Sequence, residues 1–338
     1  MTRKSLFRSV CVASMLAGVS FAQPAAAGPH FTTIDPPGST ATVCAAINDA
    51  GTIAGYYVDG KDRVHGFART AGGTITSFDP PQSKYTEALA IDRAGAITGF
   101  FEHSGEIHGT KGYAFIRHTD ATITVFDPAN DHLRPAGIDN AKTVAGNNGE
   151  HGFVRAKGSG FERFDPPNSV GTLVTGINNS GTVTGSFATY QVGDLVNLGF
   201  LRAPDGTITS FAAPEAHNTW PSAINDGGSL TGEYEDQSGV VHGFVRAADG
   251  TVANFDAPGA DGTGGLGINR KGTIVGQYWE RDNNSYHGFI RAKDDAIKTF
   301  DVPGSSKYTS AQGINDKGMI TGSYQDAERV YHGFLRTP

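Results

Sequence analysis

The sequence of 338 residues contains little cysteine, little tryptophan and no excess of basic residues. Its two cysteines are Cys11 and Cys44, and Cys11 lies in an N-terminal segment that we expect to be removed. A mature chain with Cys44 alone cannot form an intrachain disulfide, so core packing has to stabilise the fold. The formal net charge of −7 argues against nucleic-acid binding, which requires a basic surface.

Long apolar runs are also absent. Residues 1–27 have the pattern of a secretory signal peptide: three basic residues, an apolar stretch over 10–21, and three alanines at 25–27 as a cleavage site, with cleavage after Ala22 as the alternative. The stretch is too short to span a bilayer. We therefore predict a secreted or periplasmic protein without membrane insertion. Cleavage leaves 24 basic against 34 acidic residues, a formal charge of −10.

Glycine is abundant, with 46 residues, about twice its usual share. Together with 16 prolines and no long helical pattern, this composition indicates many short strands joined by turns. Three signatures recur 38 to 48 residues apart, which is typical of a repeat protein. The first is Ile followed by Asn or Asp, at Ile47, Ile91, Ile138, Ile177, Ile224, Ile268 and Ile314. The second is His-Gly-Phe, at His65, His151, His242, His287 and His332, with Tyr113 and Leu198 in place of His. The third is Phe-Asp, at Phe78, Phe126, Phe164, Phe255 and Phe300, with looser copies at Ile34 and Phe211.

Each copy predicts four strands. In the first copy, one strand ends at Ile47, and the turn Asn48-Asp49-Ala50-Gly51 supplies the residues that tight hairpins need. Further strands are predicted over 52–57, 65–69 and 74–78. Four-stranded units at this period are typical of β-propeller blades.

The two ends of the chain contain the parts of one further unit. Residues 31–35 read as a lone fourth strand, and the C-terminus supplies three strands ending near Arg336. The sequence therefore predicts an all-β fold, a seven-bladed β-propeller of four-stranded antiparallel blades. It forms a single domain over 28–338, with its ring closed by pairing of the N-terminal strand with the C-terminal blade.

The repeats resemble the HAF family of extracellular bacterial repeats, with Gly in place of the middle Ala in most copies. The resemblance is carried by residues 313–318, Gly-Ile-Asn-Asp-Lys-Gly, followed by Tyr324 and by His332-Gly333-Phe334. It extends over nearly all of residues 30–338. The resemblance implies an extracellular repeat protein. It assigns no catalytic activity or catalytic residue to this chain.

The repeated residues favour a structural role. Equivalent histidines in different blades lie too far apart to ligate one metal ion, so we expect each to pack beside Phe and bond to neighbouring backbone, with no metal site. The Phe-Asp aspartates are expected to make Asx-type turn bonds, with structural calcium as the alternative, and no other cofactor is expected. Cys44 is expected to be a buried apolar residue.

Chemistry is expected where the blades differ, at the end that carries the variable fourth-to-first and second-to-third strand loops. Two variable rows precede the repeated Ile. We predict that they face a central funnel and bind a polar, ring-bearing ligand. The predicted ligand-binding residues are Trp220, Tyr308, Asn218, His217 and His103.

Two functions remain open from the sequence. The first is a monomeric binding protein for a glycan, another polar small molecule or a protein partner. The second is a secreted polysaccharide lyase or hydrolase that uses the funnel. In the lyase hypothesis, a guanidinium neutralises a uronate carboxylate, an imidazole or phenol takes the proton, and a carboxylate orients them. The catalytic set would be Arg134, His132, Tyr85 and Glu87. No nucleophile elbow, zinc motif or phosphate loop is present in the sequence.

Overall fold

The computed structural model describes residues 28–104, 111–126 and 132–338. Within these ranges the regular structure consists of 28 β-strands and contains no helix, and so no helix there is long and apolar enough to cross a membrane. The expected signal peptide and Asp127 of the third signature lie outside the described residues.

The strands pair antiparallel, in sequence order, in groups of four. The first two groups are β2 (Ser39–Ile47), β3 (Ile53–Asp59), β4 (Val64–Arg69), β5 (Ile75–Phe78), and β6 (Ser83–Ile91), β7 (Ile97–His103), β8 (Tyr113–Arg117), β9 (Ile123–Phe126). The next two are β10 (Leu133–Ile138), β11 (Val144–Asn148), β12 (His151–Arg155), β13 (Glu162–Phe164), and β14 (Gly171–Ile177), β15 (Val183–Gln191), β16 (Asp194–Arg202), β17 (Ile208–Phe211).

Two more groups of the same form follow in the C-terminal half. They are β18 (Ala216–Ile224), β19 (Leu230–Asp236), β20 (Val241–Arg246), β21 (Val252–Phe255), and β22 (Gly262–Ile268), β23 (Ile274–Glu280), β24 (Ser285–Arg291), β25 (Ile297–Phe300). The chain ends with β26 (Tyr308–Ile314), β27 (Ile320–Gln325) and β28 (Tyr331–Thr337), and the N-terminal strand β1 (His30–Ile34) pairs with β28.

These four-stranded sheets look like propeller blades, and we call each one a unit. The first strand of each unit contacts the first strand of the next unit, and β26 contacts β2. In the last unit, β1 runs antiparallel to β28 with His30 opposite Thr337 and Ile34 opposite Gly333. The Phe31 ring packs 5.9 Å from that of Phe300. The two ends of the chain are thus combined in one sheet.

The core lies between the faces of neighbouring units, as in the cluster that joins Ile116 of one unit to Phe153 of the next. Phe67, from the His-Gly-Phe signature, explains one of the repeated glycines. A Cβ at Gly55 would lie 2.8 Å from the Phe67 ring and 2.2 Å from the carbonyl oxygen of Val43, so a side chain has no room there. The equivalent aromatic residues are all fully buried, at Phe67, Phe115, Phe153, Phe200, Phe244, Phe289 and Phe334.

Arginine–aromatic contacts join neighbouring units along the end of the third strand. The Arg246 guanidinium lies 5.0 Å from the ring centroid of Phe211 in the preceding unit. Such a contact contributes about 0.5–2 kcal/mol, depending on how far it is desolvated. The same contact at 4.5–5.5 Å recurs for Arg117 over Phe78, Arg155 over Phe126, Arg202 over Phe164, Arg291 over Phe255 and Arg336 over Phe300.

An asparagine belt joins units at the C-terminal ends of the first strands, the same end of the sheets as the repeated arginines. Asn315 donates from Nδ2 to the carbonyl oxygen of Asn48 at 2.9 Å, while its Oδ1 accepts the Met319 N–H of its own turn at 3.0 Å. One side chain therefore shapes its own hairpin and holds the neighbouring unit. Equivalent Nδ2 bonds of 2.9–3.2 Å run from Asn48 to Asp92, Asn178 to Asn225, Asn225 to Asn269 and Asn269 to Asn315.

Two aspartates interrupt this asparagine belt. Asp92 and Asp139 accept turn N–H groups at 2.8 and 2.7 Å, as asparagine would, but a carboxylate has no amide to donate onward. Lys142 of the β10–β13 unit forms an ion pair with Asp92 of the β6–β9 unit. An ion pair thus replaces the amide bond between these two units.

A β-bulge occurs at the same place in every first strand. In β26 the register shifts between Ala311 and Gly313, two residues before the belt asparagine. An extra residue rotates the following side chains and bends the strand. The bulge brings the repeated Ile to a common central space with its equivalents. The other shifts follow Cys44, Ala88, Pro135, Val174, Pro221 and Gly265.

Cys44 lies on β2 at the seam between the first and last units. It is fully buried, as predicted, and burial raises the pKa of its thiol to about 12. A Cβ added to Gly333 of β28 would lie 2.5 Å from the Cys44 sulfur. The thiol is therefore unreactive while this seam is packed.

We predict that Asn315→Asp destabilises the protein by about 1–3 kcal/mol, because it removes the side-chain bond to the Asn48 carbonyl and buries a charge. Urea unfolding of both proteins measures the difference. Asn140→Asp is the matched control: the Asn140 Oδ1 accepts the Arg93 N–H at 3.2 Å, and aspartate keeps that acceptor. Equal losses in the two variants would contradict a role for the amide donor.

Candidate functional site

The variable residues of the first strands belong to different units. Tyr85 and Glu87 lie on β6, Arg134 on β10, and Trp220 on β18. Because each first strand contacts the next, residues far apart in sequence become neighbours across unit boundaries. The structure brings three of the four predicted catalytic residues into one hydrogen-bonded network.

That network centres on the buried carboxylate of Glu87. Its Oε1 accepts the Tyr85 hydroxyl at 2.5 Å, and its Oε2 accepts Arg134 Nη2 at 3.0 Å. The Glu87 side chain is 6% exposed, whereas that of Arg134 is 49% exposed. The Arg134 guanidinium also lies 4.6 Å from the Phe100 ring centroid. A buried anion and an aromatic face thus hold a half-exposed cation in one orientation.

Burial and the neighbouring carboxylate keep the surrounding phenols protonated. Burial, followed by the hydrogen bond to Glu87, raises the pKa of Tyr85. Burial and the Glu87 charge raise the pKa of Tyr56 to about 12, against the opposing effect of Arg134. These phenols are therefore hydrogen-bond donors at neutral pH.

His132 and Trp220 lie outside this network. His132 is half-buried just before β10, and a Cβ at Gly112 would lie 3.4 Å from its ring. Trp220 and the exposed Leu173 line a groove of about 250 Å³ between the β14–β17 and β18–β21 units. Among the described residues, no hydrogen bond or ring contact joins either side chain to Arg134.

The predicted ligand residues Asn218 and His217 are adjacent on β18. The buried Asn218 amide donates to Glu235 Oε2 at 2.7 Å and accepts the Asn197 N–H at 2.8 Å. These bonds tie it to two neighbouring strands, one of them in the preceding unit. His217 is half-buried and is the extra residue at a register shift in β18.

His103 and Tyr308 lie in aromatic clusters. The His103 ring lies 4.3 Å from Tyr113 and 5.1 Å from Phe101, inside the β6–β9 unit. Tyr308 lies 5.7 Å from Tyr286 and 5.4 Å from Tyr331, in a cleft between the last two units. The two residues therefore do not belong to one site.

A third variable row, which was not predicted, lies on the second strand of each unit, next to the repeated Gly. Two-residue alternation along the second strand would have predicted this row from the sequence, because it lies opposite a variable row of the first strand. Glu233, one member, lies directly opposite Trp220 in the β18–β19 register. The row is Tyr56, Phe100, Asn147, Ser186, Glu233, Gln277 and Ser323.

Glu233 differs from Glu87 in having no partner. Burial alone raises its pKa, and no hydrogen bond or ion pair reaches it from the described residues. Its carboxylate lies against Gly264 of the next unit, where a Cβ would be 2.5 Å from Oε2. Nearby in that unit, the Oε1 of Gln277 is buried without a hydrogen-bond partner among the described residues.

We predict that Glu233→Gln raises the melting temperature by a few degrees at pH 7. A carboxyl whose pKa is raised by folding contributes stability below its unfolded pKa and loses that stability as pH rises through the folded pKa. The gain should therefore shrink toward pH 4, as measured by calorimetry at both pH values. Glu235→Gln is the matched control, and it should give no gain because Glu235 already accepts the Asn218 amide. A gain that is independent of pH would show that ionisation of Glu233 is not its cause.

The repeated histidines bond to the repeated aspartates. His65 Nδ1 lies 2.6 Å from Asp79 Oδ2, its Nε2 lies 3.3 Å from Asp59 Oδ2, and its ring lies 5.2 Å from Tyr57. The expected backbone partner was wrong, because the second and third signatures pair with each other across two adjacent strands. The same Nδ1 contact, at 2.6–2.9 Å, joins His151 to Asp165, His242 to Asp256, His287 to Asp301 and His332 to Asp35.

Two of these pairs shift the imidazole pKa. Burial lowers the pKa of His242, but its bonds to Asp256 and Asp236 outweigh burial and leave that pKa raised. For His332, bonds to Asp326 and Asp35 likewise outweigh burial and raise the pKa. The pKa of Asp236 is lowered to about 2, chiefly by backbone N–H bonds, so this carboxylate titrates in a separate, acidic range.

We predict that thermal stability falls as pH rises from 6 to 8. A raised histidine pKa contributes stability that is complete below the unfolded value of about 6.5 and is lost as pH rises through the folded value. The double variant His242→Gln, His332→Gln should show a flatter melting-temperature profile over this interval. An unchanged slope would mean that these pairs do not titrate in it.

The described residues contain no group of three or more His, Cys, Asp or Glu side chains that could hold a metal ion. Each repeated histidine is instead close to carboxylates of its own sheet. This geometry supports an imidazole–carboxylate pair as the reason for the repeat, while the expected absence of a bound metal stays a prediction.

The opposite end of the first strands forms a second concavity, of about 220 Å³, lined by the repeated Ile and Asn. Ion pairs cross its mouth. Arg93 Nη2 lies 3.3 Å from Asp226 Oδ2, and Arg270 pairs with Asp316 and lies 3.7 Å from Asp49. The two arginines of this end are therefore engaged by its aspartates.

Comparisons with known proteins place the fold. No protein-family model and no curated protein matches the chain, so the resemblance to HAF repeats stays a prediction. The β-propeller domain of the Trilobed protease from Pyrococcus furiosus is similar at a TM-score of 0.63 and 11% identity, over 88% of this chain and 95% of that one. This likeness confirms the predicted all-β propeller fold.

In two larger enzymes, about half of the chain is similar in structure to this protein. A puromycin hydrolase S511A mutant matches at a TM-score of 0.59 and 12% identity, over 89% of this chain and 54% of that one. An acylaminoacyl peptidase from Pyrococcus horikoshii matches at 0.58 and 11% identity, over 89% and 52%. The chain spans about half the length of these two enzymes, and at such identities the likeness is one of fold alone.

Proposed function

We propose that this protein is a binding protein whose ligand carries an anionic group that Arg134 holds at the variable-loop end of the propeller. The observation that carries the proposal is the fixed geometry of Arg134, which is anchored by Glu87 and Phe100 yet half-exposed. A guanidinium presents five donors in a rigid fork, and Glu87 uses only part of it. An anchored side chain also loses little entropy when a ligand binds.

The same geometry favours binding over proton transfer. The Tyr85 hydroxyl donates a hydrogen bond to Glu87, and burial together with this bond raises the pKa of the phenol. A phenol in this state is a poor general base at neutral pH. Both Glu87 oxygens are also occupied, which suits a positioning residue.

We infer further that the units form a closed ring of seven blades. Pairing of β1 with β28 and contact of β2 with β26, β27 and β28 support this inference. The Asn315–Asn48 bond of the asparagine belt crosses the same seam. A secreted or periplasmic location, as the pattern of residues 1–27 indicates, belongs to the same proposal.

We predict that Arg134→Gln abolishes binding of an anionic sugar and lowers the melting temperature by a few degrees, because the buried Glu87 carboxylate loses its ion pair. Circular dichroism at the titration temperature checks that the variant is folded. The probes are galacturonate, glucose 6-phosphate and N-acetylglucosamine 6-sulfate, each compared with its neutral parent sugar by calorimetric titration. Arg134→Lys should bind weakly, because it keeps the charge and loses the fork.

Lys271→Gln is the control for the surface, because Lys271 is exposed in a turn at the opposite end. It should bind each probe as the unchanged protein does. Loss of binding in Lys271→Gln with full binding in Arg134→Gln would place the ligand at the end that carries Lys271, and this result would overturn the proposal. Failure of every anionic probe to bind would also overturn it.

A hydrolase is the second candidate function, and Glu233 is the observation that favours it. A carboxyl with a raised pKa beside an aromatic residue is the kind of group that acts as a general acid. Release of reducing ends from a polysaccharide, lost in Glu233→Gln but retained in Glu235→Gln, would support this candidate over simple binding.

A further inference from the structure

Three tyrosines form a cleft between the last two units at the variable-loop end. Tyr308 lies between Tyr286 and Tyr331, with centroid distances of 5.7 and 5.4 Å. The outer rings are 36% and 38% exposed, while Tyr308 is half-buried at the base. The row continues to Trp279, which lies 6.3 Å from Tyr286. These rings supply apolar faces and hydroxyl edges on a surface that water reaches.

The cleft has the size and charge of a small-ligand site. Its volume is about 620 Å³, within the range of about 300–1,000 Å³ for such sites. Its lining includes Lys307 and Arg329 and no carboxylate. Lys307 Nζ donates to the Asn283 carbonyl at 3.0 Å, and no carboxylate of the described residues forms an ion pair with it. Among the described residues, Arg329 forms no ion pair. The cleft therefore favours an anion that also has an apolar ring face.

A sugar with a carboxylate combines both properties. The C–H face of a pyranose packs against an aromatic ring, its hydroxyls bond to phenols and amides, and its carboxylate pairs with Lys or Arg. A protein partner would need a far wider apolar contact than three tyrosines provide.

Tyr56 connects this cleft with the Arg134 network. It lies close enough to both Glu87 and Tyr308 for each to raise its pKa. Tyr308, Tyr56, Glu87 and Arg134 thus belong to four successive units, because β26 contacts β2, β2 contacts β6 and β6 contacts β10. A chain of sugars would extend along these units more readily than a single sugar would reach both places.

We propose that the Tyr286–Tyr308–Tyr331 cleft is a subsite for an acidic oligosaccharide, which stacks on the tyrosines and pairs with Lys307 and Arg329. The inference deepens the proposed function and rests on it, since it names uronate-type carbohydrate as the ligand class and adds a second contact region to Arg134.

The test titrates hexagalacturonate into the unchanged protein and into Tyr331→Ala, with maltohexaose as the neutral probe of equal length. We expect Tyr331→Ala to weaken hexagalacturonate binding by about tenfold, the loss that one stacked ring causes. Lys307→Gln should also weaken hexagalacturonate binding, and this loss of affinity should be larger at low salt than at high salt. Maltohexaose should bind the unchanged protein much less tightly than hexagalacturonate does. Tyr190→Ala, which removes a 66% exposed tyrosine from the β14–β17 unit, is the matched control and should bind as the unchanged protein does.

Arg134→Gln, measured in the same titration, separates the two proposals. Unchanged binding in Tyr331→Ala with loss in Arg134→Gln overturns the cleft and leaves the Arg134 site standing. Loss in Tyr331→Ala with none in Arg134→Gln supports the cleft and overturns the Arg134 site. If hexagalacturonate does not bind, or maltohexaose binds equally well, the acidic subsite is wrong whatever the single sugars do. Circular dichroism of each variant at the titration temperature excludes unfolding as the cause.

Discussion

The forward hydrogen bond of one asparagine amide is the interaction on which the assembly of units depends. Each sheet can form its own strand pairs, but a sheet alone leaves both faces in water. The Asn315 amide both shapes the turn in which it lies and bonds to the next unit, so formation of the hairpin positions the donor for its neighbour. Side-by-side contact then buries the phenylalanines between the sheets and places the arginines over the outer aromatic rings. Asp92 illustrates this requirement. Its carboxylate accepts the turn N–H groups but cannot donate to the next unit, and an ion pair with Lys142 connects the two units instead.

The strands themselves were largely predictable from sequence. The repeated Ile-Asn, His-Gly-Phe and Phe-Asp signatures placed the end of β2 and both ends of β3, β4 and β5 within two residues, because turn residues and two-residue alternation are local properties. The His–Asp pairing was predictable only in part: both signatures were visible, but their contact depends on the register of two strands. The bulge after Cys44 left no local signal, because an extra residue is detected only when two strands are aligned.

The site was less predictable than the fold for a related reason. Tyr85, Glu87 and Arg134 were singled out by their variability, and the structure joins them because they occupy adjacent units. Glu233 and Tyr286 were not predicted, because they lie on the second and third strands, next to repeated residues that have a structural role. Trp220 shares the variable row of Arg134 but lines another groove, because that row is spread around the whole propeller. A repeat therefore indicates where divergence is permitted, and only three-dimensional neighbourhood indicates which divergent residues act together.

The position of Cys44 has a consequence for observing how the molecule opens. Its sulfur is the single thiol of residues 28–338, and it lies against Gly333 where the first and last units meet. A thiol at that seam is silent toward alkylating reagents as long as the seam is packed, and separation of the units exposes it at once. The rate at which an alkylating reagent modifies Cys44 therefore measures how often the first and last units separate. In an oxidising compartment, the same shielding protects the unpaired thiol from forming disulfides with other molecules.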